Sequence, residues 1–376
     1  MSDGDSDLLA TLERIATEVI APNAATVDAK ATFPRESIDA LAGAGFLGLL
    51  SSRDVGGQGR GLADGVRVVE RVAQACSSTA MVLTMHYCGV SVLEQHGPQD
   101  VRKAAAAGSH LSTLAFSEVG SRSHFWAPLS TATPTGNGIR LDARKSWVTA
   151  AHHATAYVWS SKPVSSSGPS TIWLVPANTG GLSVTGSFDG LGLRGNDSCP
   201  IAAEGVLVGH EARLGSDGGG FDLMMGTVLP RFQLLSAACS LGLMEAACAR
   251  TVTHATTTKF THLGSALSDQ PVTRAHIARM RVQTDMVRGL LLDTVAAVRD
   301  GRADSGLRVL ESKLAAGETA AIVLDLAMRV CGGAAFRKEV GVERLFRDAR
   351  AATVMAPTSD TLLEFIGRSV CGLPLA

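Results

Sequence analysis

A few short segments of this 376-residue chain hold residues whose types and spacing can do chemistry. Gly56-Gly57-Gln58-Gly59-Arg60-Gly61 has the glycine density of a phosphate cradle. No strand pattern precedes it, however, and its third glycine is out of register for a dinucleotide fingerprint, so it reads as a turn. His152-His153, and His254 with His262, have metal-ligand chemistry. No such pair sits four apart on a helix beside a carboxylate, and no metal site is expected. The absence of a G-x-S-x-G elbow argues against an ordinary α/β-hydrolase. Seven dispersed cysteines without a C-x-x-C pair read as reduced, buried thiols of a cytoplasmic protein.

These residues must be positioned by elements, and the chain has three textures. Residues 1–112 carry helical patterns over Leu8 to Ile20, Pro34 to Ala44, Ala63 to Ala75 and Val90 to His96. From 113 to 219 that period gives way to short β-rich runs: Ala156 to Ser160, Thr171 to Val175 and Leu182 to Val184. From 220 to 376 the helical period returns. Ile277, Met280, Val287, Leu291, Val295 and Val298 share one face, and Leu307 through Met328 form a second stripe, a seam for antiparallel packing. The expected fold is α+β and mostly α: an N-terminal helical domain, a central β-barrel or sandwich, and a C-terminal four-helix bundle. Lys plus Arg (34) balance Asp plus Glu (35) to a net charge of -1, which argues against nucleic acid or a membrane surface as partner. The polar, acidic N-terminus is no signal peptide, and no apolar run reaches the roughly 20 residues of a membrane span.

Five segments, taken in order, resemble the acyl-CoA dehydrogenase superfamily. They are Phe33-Pro34-Arg35-Glu36 with Ala44-Gly45-Phe46-Leu47-Gly48-Leu49 and Gly56-Gly57-Gln58-Gly59; Leu114-Ala115-Phe116-Ser117-Glu118 with Ser123; Lys145-Ser146-Trp147-Val148-Thr149; Cys331-Gly332-Gly333; and Glu343-Arg344-Leu345-Phe346-Arg347-Asp348-Ala349-Arg350. The resemblance spans about 33 to 368. It implies a flavin-dependent oxidoreductase carrying FAD, with FMN as the alternative, and a homodimer or homotetramer. An electron-transfer flavoprotein or a flavin reductase would be its redox partner. On the strand side it assigns the cofactor to Phe116, Ser117, Ser123, Trp147, Val148 and Thr149. On the helical side it assigns Phe260, Gln270, Gly332, Gly333 and Thr358. The residue chemistry agrees: Trp147 offers a flat apolar wall, Thr149 and Ser117 offer hydroxyls, and the glycine pair lets backbone approach a phosphate or adenosine.

The chain departs from the family where the family does its chemistry. The usual proton-abstracting glutamate, counted from Arg347-Asp348-Ala349-Arg350, falls on Ala356. The alternative position, early in the first long C-terminal helix, is Phe232-Gln233 or Pro230-Arg231, and neither holds a carboxylate. The family's arginine-x-x-phenylalanine-glycine element, which reaches a neighbouring subunit's flavin, is Thr257-Thr258-Lys259-Phe260 here, with Lys259 or His262 as replacement cations. Three readings follow. In the first, an oxidoreductase acts on an acyl thioester or related substrate with no base or a displaced one, Asp360 being nearer than Glu364, and Glu118 the remaining carboxylate. The second is a flavin monooxygenase, with His86, His124 or His153 as hydrogen-bond donors. The third is a non-catalytic partner subunit. The first is preferred, and an intact flavin shelf opposes the third.

Overall fold

The computed structural model describes residues 3–121 and 124–374. Helix α1 (Asp3–Ile15) runs through a π-helical stretch (Ala16–Ile20) into α2 (Ala21–Lys30). The expected stop at Ile20 does not occur. Pro22 lies in the first turn of α2, where a missing N–H is tolerated, and the helix ends instead at Ala31, a left-handed cap with φ of 50°. Then come α3 (Arg35–Gly43), α4 (Leu62–Ala75), α5 (Ser77–His96) and α6 (Gln99–Ala106). Sequence pattern recovers only the end of α5. Nearly every residue from Ser77 to Leu93 is buried, so no polar face exists to set a period.

Among the described residues the central part has eight strands: β1 (Ser112–Ala115), β2 (Thr131–Thr135), β3 (Gly138–Val148), β4 (Ala156–Ser161), β5 (Thr171–Pro176), β6 (Leu182–Val184), β7 (Cys199–Val208) and β8 (Arg213–Leu214). They form two four-stranded sheets ordered β1-β4-β5-β8 and β2-β3-β7-β6, antiparallel except for β1 with β4. Neither sheet closes, so the expected barrel is an open sandwich. Tyr157, Trp159 and Trp173 of one sheet share a core with Ile139, Leu141, Ile201 and Val206 of the other.

The C-terminal part starts with α7 (Gly220–Asp222), a π-helical stretch (Leu223–Val228) and α8 (Leu229–Thr257). A small hairpin, β9 (Lys259–Phe260) with β10 (Ser265–Ala266), leads to α9 (Pro271–Arg299) and α10 (Ser305–Cys331). Helices α11 (Val342–Ala349), α12 (Ala351–Val354) and α13 (Ser359–Val370) fill the fourth place of the bundle. Two helical runs, Gly220–Thr257 and Ser305–Phe336, are long and apolar enough to cross a membrane, contrary to the run-length expectation. In the first, 83% of the most apolar window is buried within the protein, as in a core helix. Helix α8 packs on α4 as well as on α9 and α10, which joins the two helical parts through one core.

Candidate active site

The site is a cavity of about 720 Å³ where the sandwich, α5, the start of α8 and the segment after α11 meet. Strand β3 supplies its shelf. A register shift between Lys145 and Val148 puts Trp147 at φ of 57°, so the indole leaves the sheet and stands 70% exposed at the cavity edge, edge-on to Phe188. Thr149 lies behind it, its Oγ1 3.2 Å from Ser198 Oγ. Phe116 and Ser117 line the adjoining wall, and the Ser117 carbonyl accepts from Ser146 N–H at 2.9 Å. Asn196 reaches the cavity from a tight turn, and its Oδ1 is buried with no hydrogen-bond partner among the described residues. Met81 and Met85 of α5, with Val228, Leu229 and Phe232, complete an apolar lining.

The carboxylates near this cavity are committed to structure. Glu118 is buried against Lys145 at 2.5 Å and accepts from Ser130 Oγ at 2.6 Å and Leu129 N–H at 2.6 Å. Burial pushes its carboxyl up, but the Lys145 cation and the surrounding donors outweigh that and hold it below the usual carboxylate range. Asp348 accepts from Leu193 N–H at 2.6 Å and from Ser77 Oγ, and burial raises it to about 6. Arg347 forks onto Asp28 at 2.6 and 2.9 Å, meets Glu343 at 2.7 Å, and donates to the Leu191 carbonyl at 3.0 Å. The Arg347-Asp348 motif therefore clamps α11 to α2, α5 and the loop over the cavity. Gly192 is required in that loop, because a Cβ there would overlap the Arg347 carbonyl group.

The wall after α11 presents Met355, Ala356 and Thr358. Buried Lys313 of α10 holds this segment by donating to the carbonyls of Ala352 (3.1 Å), Met355 (3.1 Å) and Pro357 (2.8 Å). Thr358 is the N-cap of α13 and accepts from Thr361 N–H at 3.4 Å. Arg350 also lines the cavity. It stacks on Phe346, 4.5 Å from the ring centroid, with no carboxylate partner among the described residues.

The cavity thus gathers Phe116, Ser117, Trp147, Thr149, Ala356 and Thr358 from the sequence-derived set. Val148 is buried beneath the shelf instead. Phe260, Gln270, Gly332 and Gly333 lie outside the lining, and the glycine pair is exposed. Ser123 falls outside the described residues. His86 is a correction. It is fully buried, its ring nitrogens bound to the Leu47 carbonyl (3.0 Å) and Ser112 N–H (3.1 Å), and burial pulls it down to about 4. It is a neutral structural histidine. His153 stacks on Phe33 and meets Arg35 at 2.9 Å, so the Phe33-Pro34-Arg35 segment docks on the sandwich. Asp360 and Glu364 are exposed on α13 and do not line the cavity, and Glu364 pairs with Arg368. Sequence reading missed Asn196, Lys313 and Arg350. Lys313 did leave a signal, a lone cation within the apolar Leu310–Gly317 register.

The geometry is an open β-sandwich between two helical parts, with an exposed indole at the edge of an apolar cavity. The chain belongs to the acyl-CoA dehydrogenase family. Models of its N-terminal, middle and C-terminal domains match residues 2–108, 113–206 and 218–371. The probable acyl-CoA dehydrogenase YngJ of Bacillus subtilis (strain 168) is 27% identical over 94% of both chains. The mitochondrial short-chain specific acyl-CoA dehydrogenase of Homo sapiens is 27% identical, over 94% of this chain and 86% of that protein. In fold, the chain resembles butyryl-CoA dehydrogenase from Megasphaera elsdenii (TM-score 0.92, 22% identity, 99% of both chains) and PigA with FAD and proline (TM-score 0.90, 21% identity, 99% and 98%). The cofactor is FAD. The residues present fit it: an outstanding indole, hydroxyls at the strand edge, and an unpartnered Asn196 carbonyl oxygen beside an apolar cavity.

Proposed function

We propose that this chain is an FAD-dependent oxidoreductase that acts on an acyl thioester or related small acyl substrate without a carboxylate base of its own. One observation carries the reading. The wall at 355–358 is neutral, and Glu118 and Asp348 are tied into hydrogen-bond networks. Trp147 and Phe116 would hold the cofactor ring and keep water from it, and Ser117, Thr149 and Asn196 would orient it. When bound, FAD supplies a hydride acceptor. Arg350 is placed to attract an anionic part of the substrate. A substrate suited to this site brings a Cα–H already acidified by a second electron-withdrawing group, so that solvent water can take the proton in place of a positioned carboxylate.

Anaerobic stopped-flow reduction of the flavin tests this. Straight and branched saturated acyl-CoAs should reduce it about 10²–10⁴ times more slowly than a base-equipped relative allows. Rapid reduction by those substrates would overturn the reading. The apolar, base-free lining also favours a second reading, oxygen-dependent monooxygenation. Turnover with oxygen and supplied reduced flavin, and no reduction by any acyl-CoA, would establish it and make a flavin reductase the partner. Reduction by acyl-CoA would instead call for an electron-transfer flavoprotein. We further propose a dimer or tetramer, because Leu314, Ala321 and Met328 remain half-buried and Ile322 exposed on α10. A 38.9 kDa species alone in sedimentation would contradict it.

A further inference from the structure

The fold brings together three donor side chains that the sequence keeps apart. His152 sits in the connection from β3 to β4, whereas Asp197 lies just before β7 and Cys199 opens it. His152 Nδ1 is 2.9 Å from Asp197 Oδ1, and Cys199 Sγ is 3.2 Å from the same oxygen. All three donor atoms lie within 4.8 Å of one another. The other carboxylate oxygen, Oδ2, accepts from His152 N–H at 2.7 Å, which fixes the carboxylate so that Oδ1 faces both neighbours. The backbone beneath is equally tied. Ala150 N–H donates to the Asn196 carbonyl at 2.9 Å and Ala151 N–H to the Asp197 carbonyl at 3.1 Å. Asp197 itself stands at φ of 53°, a left-handed conformation that aspartate tolerates. Cys199 is fully buried, while the His152 side chain is 46% exposed, so the cluster opens to solvent on its imidazole side. His153 is turned away, stacked on Phe33 and meeting Arg35.

We propose that His152 Nδ1, the Asp197 carboxylate and Cys199 Sγ bind a divalent transition-metal ion of the zinc class, with water as the fourth ligand. A surface histidine–aspartate pair needs no third donor, and here a buried thiol converges on the same oxygen. Zinc bonds of about 2.0–2.3 Å place the corners of a tetrahedron about 3.3–3.7 Å apart. The two contacts to Oδ1 are only a few tenths of an ångström shorter, so a small opening of the triangle admits the ion. The thiol releases its proton to solvent as the metal–sulfur bond forms, and thiolate and carboxylate then match the ion's two charges. Imidazole and sulfur select zinc-like ions over magnesium and calcium, which take oxygen ligands. The His152 N–H on Oδ2 is the outer hydrogen bond that orients a ligating carboxylate. Spacing concealed the site, because His152 and Asp197 are 45 residues apart and the pair was judged on its helical neighbours alone. None of the three lines the cavity, but Asn196 and Ser198, which flank Asp197, do. An ion here pins the turn that carries them, whichever way catalysis proceeds.

The test uses the flavin-loaded protein in a Cys371→Ser background, which removes the exposed thiol. This parent is compared with His152→Ala, Asp197→Asn and Cys199→Ser. Bound zinc is measured after equilibrium dialysis, thermal midpoints are recorded against zinc concentration, and difference spectra are taken with cobalt as the reporter ion. The parent should bind a single zinc per chain, with a midpoint that rises saturably as zinc is added. Cobalt should give the intense visible bands of a four-coordinate ion, to the red of the flavin, with a thiolate charge-transfer band. His152→Ala spares the fold, since its ring is half exposed, and should weaken zinc binding by more than about 100-fold, beyond the loss seen for an outer-sphere partner. Asp197→Asn keeps an oxygen for the His152 N–H and suits the left-handed backbone, yet should weaken zinc comparably by removing the ligand's charge. Cys199→Ser should abolish the charge-transfer band, and magnesium or calcium in excess should not displace the ion. Equal uptake by all forms means an adventitious ion only and overturns the proposal. So does a parent that shows no saturable uptake, or a charge-transfer band that survives Cys199→Ser.

Discussion

Two buried lysines hold opposite walls of the cavity, and they are neutralised in different ways. Lys145, on the sandwich side, is paired with Glu118 and also donates to the Ser160 carbonyl at 2.7 Å and Ser160 Oγ at 3.0 Å. Lys313, on the helical side, meets three backbone carbonyls and, among the described residues, no carboxylate. Burial pulls both ammonium groups below the usual lysine range. The pull is partly opposed by Glu118 at Lys145 and takes Lys313 down to about 7. The difference shows how this site distributes charge. The β wall spends its carboxylate on holding a shelf in place, whereas the helical wall spends a cation on fixing a turn, and neither leaves a free base beside Ala356.

The largest expected effect breaks the first wall. Glu118→Gln leaves the Lys145 ammonium buried without its counter-ion, which should cost about 3–5 kcal/mol in urea unfolding. A loss under about 1 kcal/mol would mean that Lys145 is already neutral and that the two walls are alike. Trp147→Ala acts on the same wall with the opposite signature. The indole is mostly exposed, so stability should hold, while FAD binding weakens by about 1–3 kcal/mol, readable by fluorescence titration. Unchanged affinity would remove Trp147 from the shelf.

The second wall gives a smaller and pH-dependent effect. Lys313→Met removes three donors but also a costly buried charge, so the net change near neutral pH should stay within about 1 kcal/mol. Because the folded state titrates near 7 and an unfolded lysine well above it, the unfolded chain binds more protons between those values. Wild-type stability therefore gains from this group as pH rises above about 7, by at most ~1.4 kcal/mol per unit, and gains nothing below it. Between about pH 7 and 8.5 the Lys313→Met curve should be flatter than wild type. Parallel curves would place the proton elsewhere.

Much of this arrangement was legible in the sequence. The loss of helical period and the short β-rich runs marked the sandwich, and Trp147, Thr149 and Ser117, singled out through the family resemblance, do line the cavity. Helix α5 was hidden because a helix buried all round has no amphipathic period. The resemblance reached only the end of strand β3, from Lys145, and its first part was hidden because charges at Arg140, Asp142 and Arg144 interrupt its apolar alternation. At Lys145 the charge folds inward as an ion pair, and the register shifts twice along the strand. His86 misled for a related reason. A histidine next to a cavity-lining methionine looks available, but the 100° step of a helix turns it toward Leu47 and Ser112 instead. Asn196, by contrast, gave no signal, since its role depends on a turn closed by long-range packing.

The smallest expected effect sharpens the claim about the missing base. Asp360→Asn and Glu364→Gln should leave flavin reduction by any competent substrate within about twofold of wild type, far below the 10²–10⁴ forfeited when a positioned general base is removed. Both residues are exposed on α13, whose N-cap Thr358 is the last cavity-lining residue of that segment. For either carboxylate to reach the cavity, α13 would have to rotate. Leu362, fully buried on the opposite side of that helix turn, and the Lys313 grip on Pro357 resist such a rotation. Double-substituted protein keeps the comparison clean, because each acid is close enough to stand in for the other. A loss of a hundredfold or more in the double variant, with thermal midpoint and flavin content unchanged, would show that the helical wall does deliver a base. The contrast between the two walls would then fail at the point where it bears on chemistry.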